Sequence, residues 1–129
     1  MARPRMVKFR DMYAKKRYDS VYIREIAWGL TFEKWYSLVT SSCHYCGRPP
    51  FSKTKGKNSG VFYGGIDRIS NKSHYIDSNV LPCCAECNYI RGFQMSVEET
   101  EVVIKALWKH RNGKRNIQKG SKTSKDGKQ

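Results

Sequence analysis

Residues 43–47 read CHYCG and residues 82–88 read PCCAECN, and these two stretches hold all five cysteines of the 129-residue chain. Each stretch contains two cysteines separated by two residues, a spacing that lets both thiolates bind one ion from a tight turn. Two such pairs complete a tetrahedral zinc shell with no open position, so the pattern predicts a structural zinc. The four expected ligands are Cys43, Cys46, Cys84 and Cys87.

The cysteine stretches also leave alternatives open. Cys83 could replace Cys84 as a ligand, although only Cys84 has the two-residue spacing to Cys87. Since four thiolates are available, we expect His44 to be exposed and not to bind the ion. Four ordinary buried cysteines are a further reading, but two matched pairs favour a metal site.

The sequence outside the cysteines predicts short helices and a hairpin. Residues 4–17 have one apolar stripe and one basic face, typical of a helix that packs on a core and could also lie along phosphates. Residues 18–30 are expected to be a strand or an extended linker. Thr31 is expected to cap a helix over residues 32–41, and residues 49–60 have the composition of a loop.

The second half of the chain predicts two strands and two helices. Residues 61–69 and 80–81 are expected to be strands joined by a polar turn, and a short helix should follow from about 84 to 93. The S-x-x-E sequence at 96–99 is a capping box that begins a last helix, which we expect Gly113 to end. The predicted apolar stripe of that helix consists of Val103, Ile104, Leu107 and Trp108.

The net charge of +14 is concentrated at the two ends of the chain. Residues 1–24 carry a net charge of +6 and residues 109–129 carry +7, whereas the residues between them carry +1. We therefore expect a basic N-terminal helical arm (1–24), a central domain (25–112) and a disordered basic tail (113–129). Basic arms of this kind commonly bind polyanions, so nucleic acid is the expected partner.

Composition excludes several other classes of protein. No apolar run approaches the roughly 18 residues of a membrane span, and no apolar stretch follows the basic N-terminus as in a secretory signal. CxxC motifs that bind a metal and do not form disulfides indicate a reducing intracellular compartment. We expect the cytoplasm, a nucleoid or a nucleus, and a mitochondrion is left open. We expect no membrane partner.

The run from residue 43 to residue 91 resembles the zinc-containing HNH endonucleases of the ββα-metal (His-Me finger) class, particularly phage- and virus-type members. The matching pieces are CHYCG at 43–47, GIDRI at 65–69, Tyr75, Asn79-Val80 and PCCAECN at 82–88. The resemblance implies an α+β fold: a zinc-stapled, treble-clef-like ββα core with flanking helices. It also implies a catalytic magnesium or manganese ion that binds the scissile phosphate as a Lewis acid.

The resemblance assigns roles to particular residues. Asp67 matches the strand ligand of the catalytic ion and Asn88 the helix ligand. Asn79 matches the central asparagine, which orients either the loop or the general-base histidine. Arg68 stands where the general-base histidine is usual, and an arginine cannot be deprotonated in a protein but can hold a phosphate. His74 is a candidate substitute base, although a lone turn histidine is more often simply exposed.

Further basic residues are candidate phosphate contacts. Arg91 matches a position that is often lysine in relatives, and three lysines lie in the 49–60 loop. The full set of predicted nucleic-acid contacts is Arg68, Arg91, Lys53, Lys55, Lys57, Lys15, Lys16, Arg17, Lys114 and Arg115.

Two functions fit these features. The first is a metal-dependent endonuclease that hydrolyses phosphodiester bonds, with DNA preferred over RNA. The second is a catalytically inactive module of the same fold that binds DNA or RNA, for example in a ribonucleoprotein, viral or packaging assembly. Arg68 and the basic ends favour the second function, and the family pattern favours the first.

The cysteine pattern predicts that the purified protein holds about one zinc per chain and unfolds when a chelator removes it, because binding of a structural zinc contributes to folding directly. Metal analysis combined with circular dichroism during chelation checks this. A folded sample that contains no zinc would contradict it.

Overall fold

The computed structural model describes residues 3–56 and 60–120, and within these ranges it describes side chains from residue 5 to residue 113. The helices are α1 (Arg3–Tyr18), α2 (Phe32–Val39), α3 (Ala85–Arg91) and α4 (Val97–Gly120), with a π-helical turn at Asp19–Ile23 and a 3-10 turn at Asp77–Asn79. The strands are β1 (Ser52–Lys53), β2 (Phe62–Tyr63), β3 (Gly65–Arg68) and β4 (Val80–Cys83).

The centre of the fold is an antiparallel pair of strands followed at once by a helix. In the β3–β4 pair, Gly65 lies opposite Cys83 and Arg68 lies opposite Val80. A Cβ atom at Gly65 would lie 2.9 Å from the carbonyl oxygen of Cys83, so only glycine allows this approach. The chain then enters α3 through Cys84, whose side chain caps the helix. This ββα unit with flanking helices confirms the predicted α+β class.

Helix α1 packs into the main core through one face. Phe9 is only 2% exposed and makes edge contacts with the rings of Trp35 and Tyr36 in α2. The Tyr13 hydroxyl donates to the carbonyl of Leu30 at 2.6 Å. The predicted N-terminal arm thus packs on the core, while Arg5, Arg10, Lys15 and Arg17 of α1 remain exposed.

Local capping signals read from the sequence are confirmed at both predicted sites. The Thr31 side chain accepts a hydrogen bond from the backbone N–H of Lys34 at the start of α2. At the start of α4, the N–H of Ser96 donates to the Glu99 carboxylate, and the N–H of Glu99 donates to the Ser96 hydroxyl. Such bonds satisfy N–H groups that have no partner within the helix.

Three predicted elements differ from the structure, and the first is the 49–60 stretch, expected to be a loop, which contains β1 paired with β2. Residues 19–23 form a helical turn where an extended segment was expected, because the buried Ser20 hydroxyl and carbonyl both bond to Ile26 and close a loop. Helix α4 does not end at Gly113 but continues to Gly120; a helical glycine costs only about 1 kcal/mol, which good helix formers on either side can outweigh. The first eight residues of the predicted tail are therefore helical, and residues 121–129 lie outside the described residues.

The buried face of α4 also differs in part from the predicted stripe. Ile104 is 1% exposed and Thr100 is fully buried, whereas Val103 is 40% exposed and faces away from the core. Leu107 and Trp108 are partly buried. Among the described residues, no helix has both the length and the apolar character that crossing a membrane requires.

Replacing Phe9 with alanine should lower the free energy of unfolding by about 3–5 kcal/mol, because it empties a buried aromatic site between α1 and α2. Urea denaturation measures the change. Val7→Ala on the exposed face of the same helix is the control and should change stability by less than about 0.5 kcal/mol. Equal effects of the two substitutions would show that α1 is not part of the core.

Candidate metal centre and phosphate cleft

The two cysteine pairs meet at one point of the structure. The sulfur atoms of Cys43, Cys46, Cys84 and Cys87 all lie within 4.8 Å of one another. Ligand sulfurs around a tetrahedral zinc are separated by about 3.8 Å, given zinc–sulfur bonds of about 2.3 Å. The group therefore fits a zinc ion with four thiolate ligands. Cys83 is not part of it: this residue is 2% exposed, and its thiol donates to the carbonyl of Cys84.

The electrostatics of the cysteine group favour a bound cation. A hydrogen bond from Cys83 lowers the pKa of Cys43 to about 3, so this thiol ionises easily. Burial, followed by the hydrogen bond with Cys84 and the charges of the other cysteines, raises the pKa of Cys87. Four adjacent thiolates cannot all form without a positive charge between them, and a zinc ion supplies that charge.

Arg48 connects the two cysteine pairs and the last helix. Its Nε donates to the Cys46 sulfur at 3.2 Å, and its Nη2 donates to the Cys84 sulfur at 3.6 Å and to Glu86 at 2.8 Å. The guanidinium also lies over the ring of Trp108 in α4. The hydrogen bond from Arg48 lowers the pKa of Glu86, which keeps this carboxylate charged beside it. Arg48 thus offsets part of the negative charge of the thiolates.

His44 is exposed and does not belong to the cysteine group, in agreement with the sequence analysis. Its Nε2 lies 2.6 Å from the carboxylate of Glu101. Because Glu101 is in α4, this contact ties the first cysteine turn to the last helix.

A cleft of about 520 Å³ lies beside β3 and α3. Asp67 and Arg68 come from the end of β3, and Asn88 comes from α3. Helix α1 and the turn after it contribute Lys16 and Arg24. The complete lining is Lys16, Arg24, Ile66, Asp67, Arg68, Asn71, Tyr75, Ala85, Asn88, Tyr89, Gly92 and Phe93. Four predicted site residues, Lys16, Asp67, Arg68 and Asn88, thus share one basic cleft.

Asp67 is held from two sides by protein groups. Its Oδ2 accepts hydrogen bonds from Arg91 at 2.5 Å and from the Tyr45 hydroxyl at 2.8 Å. Arg91 also donates to the carbonyls of Arg68, Ile69 and Met95. With a side chain only 3% exposed, Arg91 forms an internal ion pair in place of the phosphate contact predicted from the sequence.

Arg68 is anchored on one side and open on the other. Its Nη1 donates to the carbonyls of Asn71 and Ser73, which fixes the turn after β3. The Nε–Nη2 edge makes no hydrogen bond to any residue in the described part of the chain. That edge has the geometry to hold a phosphate through two parallel hydrogen bonds.

Asn79 and His74 lie on the turn and not in the cleft lining. The Asn79 amide bonds to Ser70 through both its oxygen and its nitrogen, and also donates to the carbonyl of His74. Asn79 therefore orders the loop, as the resemblance implies. The imidazole of His74 is exposed and is not among the lining residues, so its predicted role as a base gains no support.

The oxygen groups in the cleft fit a magnesium ion in chemical type. Oδ1 of Asp67 accepts no hydrogen bond from the residues that the structure describes, and the exposed Asn88 offers an amide oxygen. Magnesium commonly binds one or two protein oxygens and completes its shell with water and substrate phosphate. The nearby charge of Arg91 weakens the attraction of Asp67 for such an ion.

The remaining predicted phosphate contacts occupy different places. Lys53, Lys55 and Arg17 are exposed, and Lys15 forms an exposed ion pair with Asp19. Among the predicted lysines whose side chains the structure describes, only Lys16 lines the cleft. Lys57 lies outside the described residues. For Lys114 and Arg115 the backbone is helical, but their side chains also lie outside the described part.

Several residues in or beside the cleft were not predicted from the sequence. Arg24, Tyr89 and Phe93 line the cleft, and the rings of Tyr89 and Phe93 are exposed. Tyr45 lies outside the lining and contacts Asp67. For Tyr45, its position between Cys43 and Cys46 was the one sequence feature that could have indicated a role near the site. Burial, then the hydrogen bond to Asp67, raises the pKa of Tyr45, so this hydroxyl stays protonated and acts as a donor.

Comparison with known proteins supports the fold. No protein-family model matches the chain. A solved structure of the rare-cutting HNH restriction endonuclease PacI matches with a TM-score of 0.60 and 24% sequence identity, covering 79% of this chain and 78% of that one. At this identity the match shows an HNH-endonuclease fold, which confirms the architecture implied by the resemblance.

An uncharacterized protein, R423, of Acanthamoeba polyphaga mimivirus is 29% identical over 68 residues. The match spans 53% of this chain but only 11% of the length of that relative.

Arg48→Gln should speed the loss of zinc to a chelator by about tenfold or more, because it removes two hydrogen bonds and a positive charge from the thiolates. Zinc release followed with a chromogenic chelator gives the rate. Arg17→Gln, an exposed arginine in α1, is the charge-matched control and should release zinc at the wild-type rate. Identical rates for the two variants would show that Arg48 does not support the metal centre.

Proposed function

We propose that this protein binds DNA through the basic cleft and acts as a metal-dependent endonuclease. The observation that carries the proposal is the meeting of Asp67, Arg68 and Asn88 in one cleft on an HNH-endonuclease fold. The HNH match is to a DNA-cutting restriction enzyme, and the net charge of +14 suits a polyanionic substrate. The likeness in fold thus supports a phosphodiesterase chemistry for the cleft.

Each cleft residue has a definite part in this proposal. The free edge of Arg68 holds the scissile phosphate, and Lys16 and Arg24 hold the neighbouring backbone phosphates. Asp67 and Asn88 provide the protein oxygens for the divalent ion, which acts as a Lewis acid when bound. Tyr45 and Arg91 hold the Asp67 carboxylate in position.

The cleft has no histidine among its lining residues, so attack must depend on water that no side chain there activates strongly. We therefore expect slow turnover. DNA affinity should fall steeply with salt, because several basic groups replace counterions on the backbone.

A second candidate function is DNA or RNA binding without catalysis. The Asp67–Arg91 ion pair favours it, because that pair partly neutralises the carboxylate expected to bind the ion. The presence of Arg68 at the usual position of the general base also favours binding without catalysis. In that case the cleft would still bind phosphate, and the protein could serve a nucleic-acid assembly.

Asn88→Ala should reduce magnesium-dependent nicking of supercoiled plasmid to the rate seen without magnesium, because it removes one proposed ligand of the ion. Asn88 is exposed, so the substitution should leave the fold intact. Gln94→Ala, an exposed amide outside the cleft lining, is the matched control and should cut at the wild-type rate. Gel analysis of the plasmid measures the nicking.

Asn88 is a better test than Asp67 because Asp67→Ala would leave the buried Arg91 without its partner. That loss would lower the free energy of unfolding by about 3–5 kcal/mol. Omitting magnesium is a safer negative control than a chelator, which would also attack the zinc centre. Cutting by Asn88→Ala at the wild-type rate would exclude the proposed site. Plasmid binding without any cutting by the wild type would establish the second function instead.

A further inference from the structure

Two aromatic side chains at the cleft are almost completely exposed. Tyr89 in α3 is 88% exposed and Phe93, just after the helix, is 86% exposed. Both line the cleft that contains Asp67 and Arg68. Gly92 lies between them with φ of 58°, a conformation that lets the chain leave the helix while Phe93 stays on the cleft side. Neither ring contributes to the core clusters described above.

The same cleft gathers three cations around one buried ring. Nη1 of Arg24 donates to the Tyr75 hydroxyl at 3.0 Å. Lys16 and Arg68 lie 5.6 Å and 5.4 Å from the centre of the same ring. Asp67 is the single acidic residue of the lining, and its charge is paired with Arg91. The cleft therefore combines basic side chains with two exposed aromatic rings.

This combination matches the chemistry of an unpaired nucleotide. Phosphates of an extended strand need a basic groove, and bases that are not paired offer flat faces that stack on aromatic side chains. In an intact duplex those faces are covered by neighbouring bases, so the two rings could not be used without unstacking a step. An acidic protein partner would match the cations, but it would gain little from two exposed rings beside them.

We propose that the cleft recognises single-stranded or locally unpaired DNA, with Tyr89 and Phe93 stacking on bases while Lys16, Arg24 and Arg68 hold the backbone. The choice of DNA rests on the proposed function; the stacking itself does not. The two rings select unpaired segments, and the cations bind the strand whether or not it is cut.

The test is binding of a fluorescently labelled single-stranded DNA, the same sequence as a blunt duplex, and the matching single-stranded RNA. Anisotropy is measured without added magnesium, so no strand is cut. No chelator is added, so the zinc is retained. The double variant Tyr89→Ala, Phe93→Ala should lose about tenfold or more of its affinity for the single-stranded DNA. Its affinity for the duplex should stay within about twofold of wild type.

Val102→Ala with Val103→Ala is the control, since both side chains are exposed on α4 and neither lines the cleft. This variant should bind all three ligands like the wild type. The single variant Tyr89→Phe, with Phe93 unchanged, should keep single-strand binding, because a phenyl ring stacks without the hydroxyl. Circular dichroism and zinc content show whether each variant is folded.

Unchanged single-strand affinity in the double variant, or an equal loss for single strand and duplex, would overturn the inference. So would a wild-type protein that binds no single-stranded DNA, or a loss seen only with RNA. These outcomes are separate from the plasmid assay. If the protein binds through the rings but never nicks plasmid, the stacking inference holds and the endonuclease proposal fails. If it nicks plasmid but its binding does not depend on the rings, the endonuclease proposal holds and the stacking inference fails.

Discussion

A buried ion pair between Arg91 of α3 and Asp67 of β3 holds together the parts that form the cleft. The guanidinium also donates to the carbonyls at the end of β3 and to that of Met95 before α4, so one side chain connects a strand, a helix and a loop. Removing either charge would leave the other buried without a partner, which is costly. The same pair fixes the position of the Asp67 carboxylate and limits how strongly it attracts a cation.

Tyr45 links the cysteine cluster to the cleft. Its place between Cys43 and Cys46 puts the ring against that cluster, while its hydroxyl donates to Asp67 in the cleft. Arg48 extends the metal centre to α4 by contacting both cysteine pairs and Trp108. Loss of the ion would therefore loosen the last helix and the base of the cleft together.

The functional proposals depend on charge placed by the fold and not on net charge alone. Arg24 and Lys16 stand on the N-terminal segment, yet both approach Tyr75: Arg24 donates to its hydroxyl, and Lys16 lies 5.6 Å from the centre of its ring. The predicted basic arm thus supplies part of the cleft lining. Tyr89 and Phe93 also line the cleft, and their exposure is explained if a planar ligand covers them.

The sequence by itself determined the features that depend on neighbours a few residues apart. The CxxC pairs and the capping residues Thr31 and Ser96 act within one turn of chain, so their spacing was enough to predict them. Only the tertiary structure decided the role of Arg91, which lies 24 residues from Asp67, and of Arg48, which lies 36 residues from Cys84. Contacts between residues that far apart in the sequence depend on how the helices and strands pack. A local sequence pattern does not predict that packing.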